Sequence, residues 1–274
     1  DNGLVAGQAA TTGGFSKGFV WNGPGTGFAG GTVPGYNGGA NKGVNDSGVV
    51  VGHGFVFGDP DTAMMGVPDG RGGYDAQEIG PSGYTFSIAH SINNAGTIIG
   101  LANLTNGPWT AAVFTLDRDN PVVLLGSLPG FENSEAYDIN EAGVIVGSTL
   151  DDDFVMDPRA WVYFDGAMHD LNDFLAPDQT EWDVLVSAQS INDAGDIAGF
   201  GWNSGGELAG FVMTGVVPSP CNADLDGNGE VNTQDFLAFL NLWVVQDSRA
   251  DWNGDGSINT QDVLRYLNDW AACR

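Results

Sequence analysis

The chain has 274 residues, with 35 acidic and 8 basic side chains, which gives a net charge of −27. Such an acidic surface repels phosphate groups, so we expect no nucleic-acid binding, and no apolar run is long enough for membrane insertion. With 42% apolar residues the chain can still form a core, so its 43 glycines indicate turns rather than disorder. The charge makes the protein a candidate for binding cations.

One nine-residue phrase recurs through residues 1–215, with the general form Ile-Asn-x-x-Gly-x-Ile-Val-Gly. Its first glycine is Gly3, Gly48, Gly96, Gly143 and Gly195, so the repeats are spaced by 45, 48, 47 and 52 residues. The Asn-x-x-Gly segment tolerates a positive φ between β-branched runs, which predicts a β-hairpin in each repeat. Units of this length with three or four short strands are typical of β-propeller blades.

Further strands are predicted after each hairpin. The third strands are residues 18–21, 54–57, 112–114, 160–164 and 210–213, and fourth strands are residues 122–125 and 168–171. The tally is about 18 strands, with about three in each terminal unit and four in each internal one. Because the ends do not complement one another cleanly, we expect that a neighbouring copy could complete an open edge.

The repeats resemble the HAF family of extracellular repeats, whose units carry the same phrase followed by an Ala-Phe-x-Trp-like strand. The resemblance covers most of residues 1–215, although three units have Gly-Phe in place of Ala-Phe and the first lacks its opening strand. It implies an extracellular repeat domain and no particular reaction.

Residues 216–220 form a Pro-rich linker to a second module, 221–274, which contains a duplicated segment at an offset of 27 residues. Each copy places oxygen-bearing side chains at loop positions 1, 3, 5, 9 and 12, a glycine at position 6 and a backbone carbonyl at position 7, which is how a twelve-residue loop binds calcium. We therefore predict two Ca²⁺ ions, and the alternative is Asx-rich turns without metal. The predicted ligands are Asp224, Asp226, Asn228, Glu230, Asn232, Asp235, Asp251, Asn253, Asp255, Ser257, Asn259 and Asp262.

A helix is predicted after each loop, because apolar residues follow at spacings of 0, 3, 4 and 7. These residues are Phe236, Phe239, Leu240 and Trp243 in the first copy, and Val263, Tyr266, Leu267 and Trp270 in the second. We expect both apolar faces to pack together below the loops. Without ions the ligand carboxylates would repel each other, so metal binding should be coupled to folding.

The second module resembles type I dockerins, since position 12 is Asp and no convincing helix precedes either loop. Dockerins attach secreted proteins to scaffolds by binding cohesins through loop positions 10 and 11. The resemblance therefore implies partner contacts at Thr233 and Gln234 and, identically, at Thr260 and Gln261, with two binding orientations. Similar modules also occur as structural calcium domains, so the partner could be a cohesin-like protein or another copy of this chain.

The two cysteines, Cys221 and Cys273, bracket the second module. A disulfide between them would close a loop worth about 4 kcal/mol in the chain-entropy model and would imply an oxidising, extracellular setting. The alternative is a pair of free buried thiols.

No catalytic pattern is evident in the sequence. His53, His90 and His169 are scattered without metal-ligand spacing, and no Gly-x-Ser-x-Gly motif indicates a hydrolase. We therefore expect a mainly β, secreted or cell-surface protein without enzymatic activity, which acts in extracellular assembly or attachment and could form filaments. The alternatives are a carbohydrate-binding propeller anchored by a dockerin and a secreted glycoside hydrolase.

Overall fold

A computed structural model describes residues 3–10, 16–21, 37–71, 73–80, 83–104, 107–115, 122–150, 158–216, 223, 225, 231–252 and 256–272. The described residues are mainly β, with 50% in strands and 13% in helices. It divides into two compact units, Asp1–Val217 and Pro218–Arg274, and the boundary falls inside the predicted linker. Each unit is described separately below.

The first unit contains five antiparallel sheets, and within the described residues none closes into a barrel. Strands follow chain order across each sheet, and the sheets have two, four, four, four and three strands, so the first has two described strands instead of the expected three. The strands are β1 Val5–Ala10 and β2 Ser16–Trp21; β3 Gly38–Val44, β4 Val50–Phe55, β5 Thr62–Pro68 and β6 Tyr74–Glu78; β7 Tyr84–Ile92, β8 Ile98–Leu104, β9 Trp109–Phe114 and β10 Val122–Gly126; β11 Asn133–Ile139, β12 Ile145–Leu150, β13 Ala160–Phe164 and β14 Ala167–Asp170; β15 Trp182–Ile191, β16 Ile197–Asn203 and β17 Leu208–Met213.

The repeated phrase forms the turn between the first and second strands of each complete sheet. In the second sheet, the side chain of Asn45 accepts a hydrogen bond from the Val49 amide (3.0 Å), and the Gly48 amide donates to the Asn45 carbonyl (2.9 Å). Gly48 has a φ of +78°, which explains the first glycine of the phrase. The second glycine allows close strand approach, because a Cβ at Gly52 would overlap the carbonyl oxygen of Ala40.

One strand prediction was wrong. Residues 54–57 were expected to form the third strand of the second unit, but Gly54 and Phe55 continue β4 and the chain then turns at Gly58 (φ +89°). The third strand is β5, in which Ala63 pairs with His53. The Gly-Phe-Val-Phe sequence misled the prediction because its alternation is typical of a strand.

The five sheets pack against one another in chain order. Three apolar cores lie between successive sheets, from the second to the fifth, and each core draws residues from both of its sheets. The first sheet packs on β3 of the second sheet. Because each internal sheet is covered on both faces, its second strand is buried almost throughout, as in β12 from Ile145 to Thr149.

A ladder of asparagine side chains connects the turns of successive sheets. The side-chain amide of Asn45 donates to the carbonyl of Asn93 (3.3 Å), Asn93 donates to Asn140 (3.1 Å), and Asn140 donates to Asn192 (3.2 Å). At the end of the ladder, the Asn192 amide donates instead to Asp196 in its own turn (3.0 Å). The asparagine of the phrase therefore both closes its own turn and bonds to the next sheet.

The second unit contains two helices, α1 Thr233–Val244 and α2 Thr260–Ala272, and a short 3₁₀ turn at Ser248–Ala250. The two predicted helices are thus confirmed, and their apolar residues share one core. The fully buried members of that core are Ala223, Phe239, Ala250 and Tyr266. Among the described residues, no helix is both long enough and apolar enough to cross a membrane.

Candidate metal and docking site

The last two predicted side-chain ligands of each calcium loop also begin the helix that follows it. The Asn232 side chain accepts a hydrogen bond from the Gln234 amide (2.8 Å), and the Asp235 side chain accepts one from the Asn232 amide (2.9 Å). Asn259 and Asp262 make the same two bonds at α2, at 2.8 Å and 2.7 Å. This reciprocal arrangement is a capping box, so loop positions 9 and 12 also fix the start of each helix.

The carboxylates at position 12 are buried. Asp235 and Asp262 are both 0% exposed, and Asp235 additionally accepts a hydrogen bond from the Leu225 amide (2.9 Å). Burying a carboxylate is unfavourable unless hydrogen bonds and a positive charge compensate for the lost hydration. Two such groups in a unit this small are therefore consistent with carboxylates that are oriented for a cation.

The described part of the second loop has a hydrogen bond that a calcium loop needs. The Gly256 amide, at position 6, donates to the side chain of Asp251, at position 1 (2.8 Å). Gly256 has a φ of +81°, which permits the sharp turn at that position. This bond fixes position 1 relative to position 6 of the loop.

Only half of the predicted ligand set falls on described residues, namely Asn232, Asp235, Asp251, Ser257, Asn259 and Asp262. The other half lies outside them, namely Asp224, Asp226, Asn228, Glu230, Asn253 and Asp255. Among described residues there is no group of three or more His, Cys, Asp or Glu side chains that could hold a metal. The coordination of Ca²⁺ therefore remains a prediction.

The two halves of the second unit are joined by a crossed pair of hydrogen bonds. The Trp243 indole of α1 donates to the carbonyl of Asn259 in the second loop, and the Trp270 indole of α2 donates to the carbonyl of Asn232 in the first, both at 2.9 Å. The sequence predicted these tryptophans only as core residues. The 27-residue offset between them is the signal that could have indicated their equivalent roles.

Between the helices, the rings of Phe239 and Tyr266 stack at a centroid distance of 4.1 Å and an angle of 6°. The Tyr266 hydroxyl donates to the carbonyl of Ala223, before the first loop (3.0 Å). Phe239 and Tyr266 occupy equivalent positions in the duplication, so the core has the pseudo-twofold symmetry of the sequence.

The residues predicted to contact a partner are all exposed, at the first turns of the two helices. They are Thr233, Gln234, Thr260 and Gln261. One helical turn further along, Leu237 and Leu264 are 59% and 62% exposed, and they too are 27 residues apart. Sequence analysis did not include these leucines, although their spacing from Thr233 and Thr260 places them on the same helix faces.

The first unit contains a polar cluster that the sequence did not predict. His90 Nε2 lies 2.9 Å from a Glu135 carboxylate oxygen, and its ring packs edge-on against Tyr137 at a centroid distance of 5.8 Å. The Tyr137 hydroxyl donates to Glu135 (3.1 Å). Burial, and then the Glu135 charge, raise the pKa of Tyr137 above its usual range.

The histidines are less scattered than their sequence positions suggested. His53 is close enough to His90 for the two charges to interact, and burial, more than any neighbouring charge, lowers the pKa of His53 from 6.5. His53 also lies 3.6 Å from a carboxylate oxygen of Asp61. The cluster links the second, third and fourth sheets through groups that prefer their neutral forms, namely His53 and Tyr137.

Cys221 and Cys273 lie outside the described residues, so their predicted disulfide remains a prediction.

Comparison with known families gives one match. Residues 39–243 match the family described as protein of unknown function DUF3466, and because this is more than half of the chain, the protein belongs to that family. The match runs from β3 to the last turn of α1, so it includes parts of both units. No curated protein matches the chain.

Proposed function

We propose that the protein is a secreted, non-enzymatic assembly or attachment protein, in which a propeller-like repeat domain carries a dockerin-like calcium module. The repeat domain supplies a stable body made of stacked sheets. The module supplies calcium-dependent docking to a cohesin-like partner or to another copy of the chain. The predicted disulfide, if formed, would fit the oxidising environment of a secreted protein.

The observation that carries this proposal is the pseudo-twofold arrangement of the second unit. Equivalent capping boxes, equivalent buried carboxylates at Asp235 and Asp262, and the crossed tryptophan bonds make the two halves one structure. An arrangement that orients buried acidic groups in two equivalent loops is best explained by two equivalent cations.

The docking surface of the proposal follows from the same symmetry. Each helix presents an exposed Thr-Gln pair, with an exposed leucine one turn later, Leu237 on α1 and Leu264 on α2. A partner that recognises one face could bind the other after a half-turn of the module. Exposed leucines beside hydrogen-bonding side chains are suited to a protein partner.

The test is binding of the whole chain to immobilised type I cohesin domains, in millimolar calcium and in excess EGTA. We expect binding in calcium that EGTA abolishes and that simultaneous Ala substitution of Thr233, Gln234, Thr260 and Gln261 weakens at least tenfold. Val123→Ala is the control, since Val123 is 50% exposed on β10 of the first unit and is not one of the docking residues. The proposal would be contradicted if the chain neither bound a cohesin nor showed calcium-dependent self-association.

Carbohydrate binding is a second candidate, favoured by an exposed aromatic pair. The Trp109 side chain is 47% exposed, and its ring stacks on Phe86 at 5.5 Å and 10°. Such flat aromatic surfaces suit sugar rings. Binding on a glycan array that is lost in Trp109→Ala would support this candidate, whereas turnover of a polysaccharide would instead favour the hydrolase.

A further inference from the structure

Each sheet of the first unit has a rear face, turned towards the preceding sheet, and a front face, turned towards the next. In every sheet, one pair of residues on neighbouring strands lies on the rear face and the next pair along lies on the front face. These pairs occupy equivalent positions in each repeat. The rear pairs are Val5/Trp21, Val50/Gly66, Ile98/Phe114, Ile145/Tyr163 and Ile197/Met213. The front pairs are Ala6/Val20, Val51/Met65, Ile99/Val113, Val146/Val162 and Ala198/Val212.

Inside the stack these positions are covered by the neighbouring sheet. Ile98 and Phe114 belong to the core between the second and third sheets, and Val146 and Val162 to the core between the fourth and fifth. Val162 is 0% exposed. The same pairs therefore form the sheet-to-sheet interface each time it occurs.

At the two ends of the stack, the equivalent positions are open to solvent. On the front face of the fifth sheet, Val212 is 72% exposed, although its equivalent Val162 is fully buried. On the rear face of the first sheet, Val5 and Trp21 are 47% and 36% exposed. The fifth sheet thus exposes a front face and the first sheet exposes a rear face. Inside the stack, faces of these two kinds cover each other.

The exposed front face is apolar over several residues. Val212 pairs with Ala198, and four residues further along the two strands Trp202 pairs with Leu208. Trp202 and Leu208 are 39% and 56% exposed. Between these pairs Phe200 lies opposite Gly210, so the face presents a continuous apolar surface.

The rear face of the first sheet has a matching aromatic feature. The Phe19 ring lies over Gly7, just as Trp161 lies over Gly147 and Phe211 over Gly199. The rings of Trp161 and Phe211 are buried against the sheets before them, whereas Phe19 is only half-buried. The first sheet is therefore shaped for a preceding sheet.

We propose that the front face of the fifth sheet packs on the rear face of the first sheet of a second copy of this chain. The partner is a copy because the two faces are the two sides of one interface that recurs between successive sheets of the chain. Such head-to-tail contact is heterologous, so it continues into open filaments or larger rings. This contact goes beyond the proposed function, because it joins first units without calcium, whereas the proposed docking by the second unit requires calcium.

The asparagine ladder supports the same direction of growth. The ladder runs in chain order and ends at Asn192, whose amide bonds within its own turn. In a head-to-tail pair, the first sheet of the next copy follows the sheet that begins its turn at Asn192. The new interface would therefore continue both the apolar packing and the order of the repeats.

The test uses two single-face variants of the whole chain and sedimentation velocity. Val212→Asp changes only the front face and Val5→Asp only the rear face, and both side chains are exposed, so we expect both variants to fold, as checked by thermal unfolding. We expect the wild type to associate as its concentration rises. Each variant should have a dissociation constant about 100-fold higher, because the introduced charge would be buried in the contact.

Mixing the variants gives the most specific result. Val212→Asp retains an intact rear face and Val5→Asp an intact front face, so an equimolar mixture should form pairs and stop there. Val244→Asp, which changes an exposed valine in the second unit, should associate like the wild type. Association should persist in EGTA, since neither face includes a residue of the second unit, and should strengthen with salt, which screens a charge of −27 per chain.

Three results would overturn the inference. A wild-type chain that stays monomeric at every concentration would show that the faces do not join copies, whether or not cohesin binding succeeds. Association that neither face variant weakens would place the contact elsewhere and leave calcium-dependent assembly intact. A mixture that forms no pairs would exclude the head-to-tail geometry. Loss of cohesin binding with face-dependent association intact would instead refute only the docking arm of the proposed function.

Discussion

The two units of the chain achieve order by different means. In the first unit, successive sheets share apolar cores and a ladder of asparagine bonds, so each repeat is stabilised by its neighbours. In the described part of the second unit, the core has four fully buried apolar residues, and two carboxylates are buried beside it. A small domain of this kind ordinarily requires a metal or a disulfide to be stable.

This difference indicates in which unit the acidic residues affect stability. Residues 221–274 carry 9 acidic and 3 basic side chains, and six of the acids are predicted to bind calcium through their carboxylates, so two calcium ions would offset much of the local repulsion. Residues 1–220 carry 26 acids and 5 bases and have no comparable motif. We therefore expect metal to control the stability of the second unit and packing to control that of the first.

The largest effect is expected from Asp235→Ala. This change removes a predicted calcium ligand and the acceptor of the Leu225 and Asn232 amides, and each buried donor left without a partner costs about 1–3 kcal/mol. We expect the second unit to lose its fold even in calcium, measured as lost helical circular dichroism, while the first unit keeps its melting transition. Asp247→Ala, an acid outside the predicted ligand set, is the control; equal effects of the two changes would contradict the role of Asp235.

Trp161→Ala should act on the first unit alone. Trp161 is 0% exposed and packs over Gly147, so we expect a loss of about 3–5 kcal/mol in the free energy of unfolding. Trp109→Ala, at an exposed position, should cost much less. Denaturant unfolding measures both changes, and a calcium-dependent effect of Trp161→Ala would argue against independent units.

A smaller loss of stability is expected from substitutions in the asparagine ladder. The comparison is between an internal position of the ladder and its last position. Asn140→Ala removes the bond to the next sheet, at Asn192, and the acceptor of the Val144 amide, for an expected loss of about 1–3 kcal/mol. Asn192→Ala should cost less, because its amide bonds only within its own turn. Equal losses in thermal unfolding would show that the link between sheets contributes little.

The smallest effect is the pH dependence of the first unit. Because burial lowers the pKa of His53 in the folded state, the unfolded chain binds a proton more readily just below its unfolded pKa of 6.5. Stability should therefore fall as pH drops below 6.5, with a slope of at most about 1.4 kcal/mol per pH unit from this group. Asp61 opposes this effect, whereas Lys42 and His90 add to it.

The measurement is urea unfolding between pH 5 and 8, compared with His53→Gln. The variant should show a shallower slope than the wild type across this range. An unchanged slope would mean that His53 does not carry the effect.

Sequence periodicity predicted most of the local structure and little of how distant elements meet. The phrase around Asn45 specified its hairpin because the turn depends on a few adjacent residues, and the spacing of Phe236 and Phe239 specified α1 in the same way. By contrast, residues 54–57 were assigned to the wrong strand, because the point where a strand ends depends on its partner strand as well as on alternation.

The interactions that sequence analysis missed all join residues far apart in the chain. The crossed bonds of Trp243 and Trp270, and the approach of His53 to His90, depend on tertiary packing and leave no local pattern. The exposed Val212 has the same local sequence character as its buried equivalents, so only the order of the sheets shows that it lies at an end.

Calcium titration of the whole, chelator-stripped chain, with heat of binding and two-dimensional NMR spectra recorded together, would show whether calcium folds the second unit. We expect two bound ions per chain. The resonances of Phe239, Tyr266, Trp243 and Trp270 should gain dispersion with calcium, and those of the first unit should not change. A second unit whose spectrum is already dispersed without calcium and unaltered by it, or a chain that binds no calcium, would contradict the account.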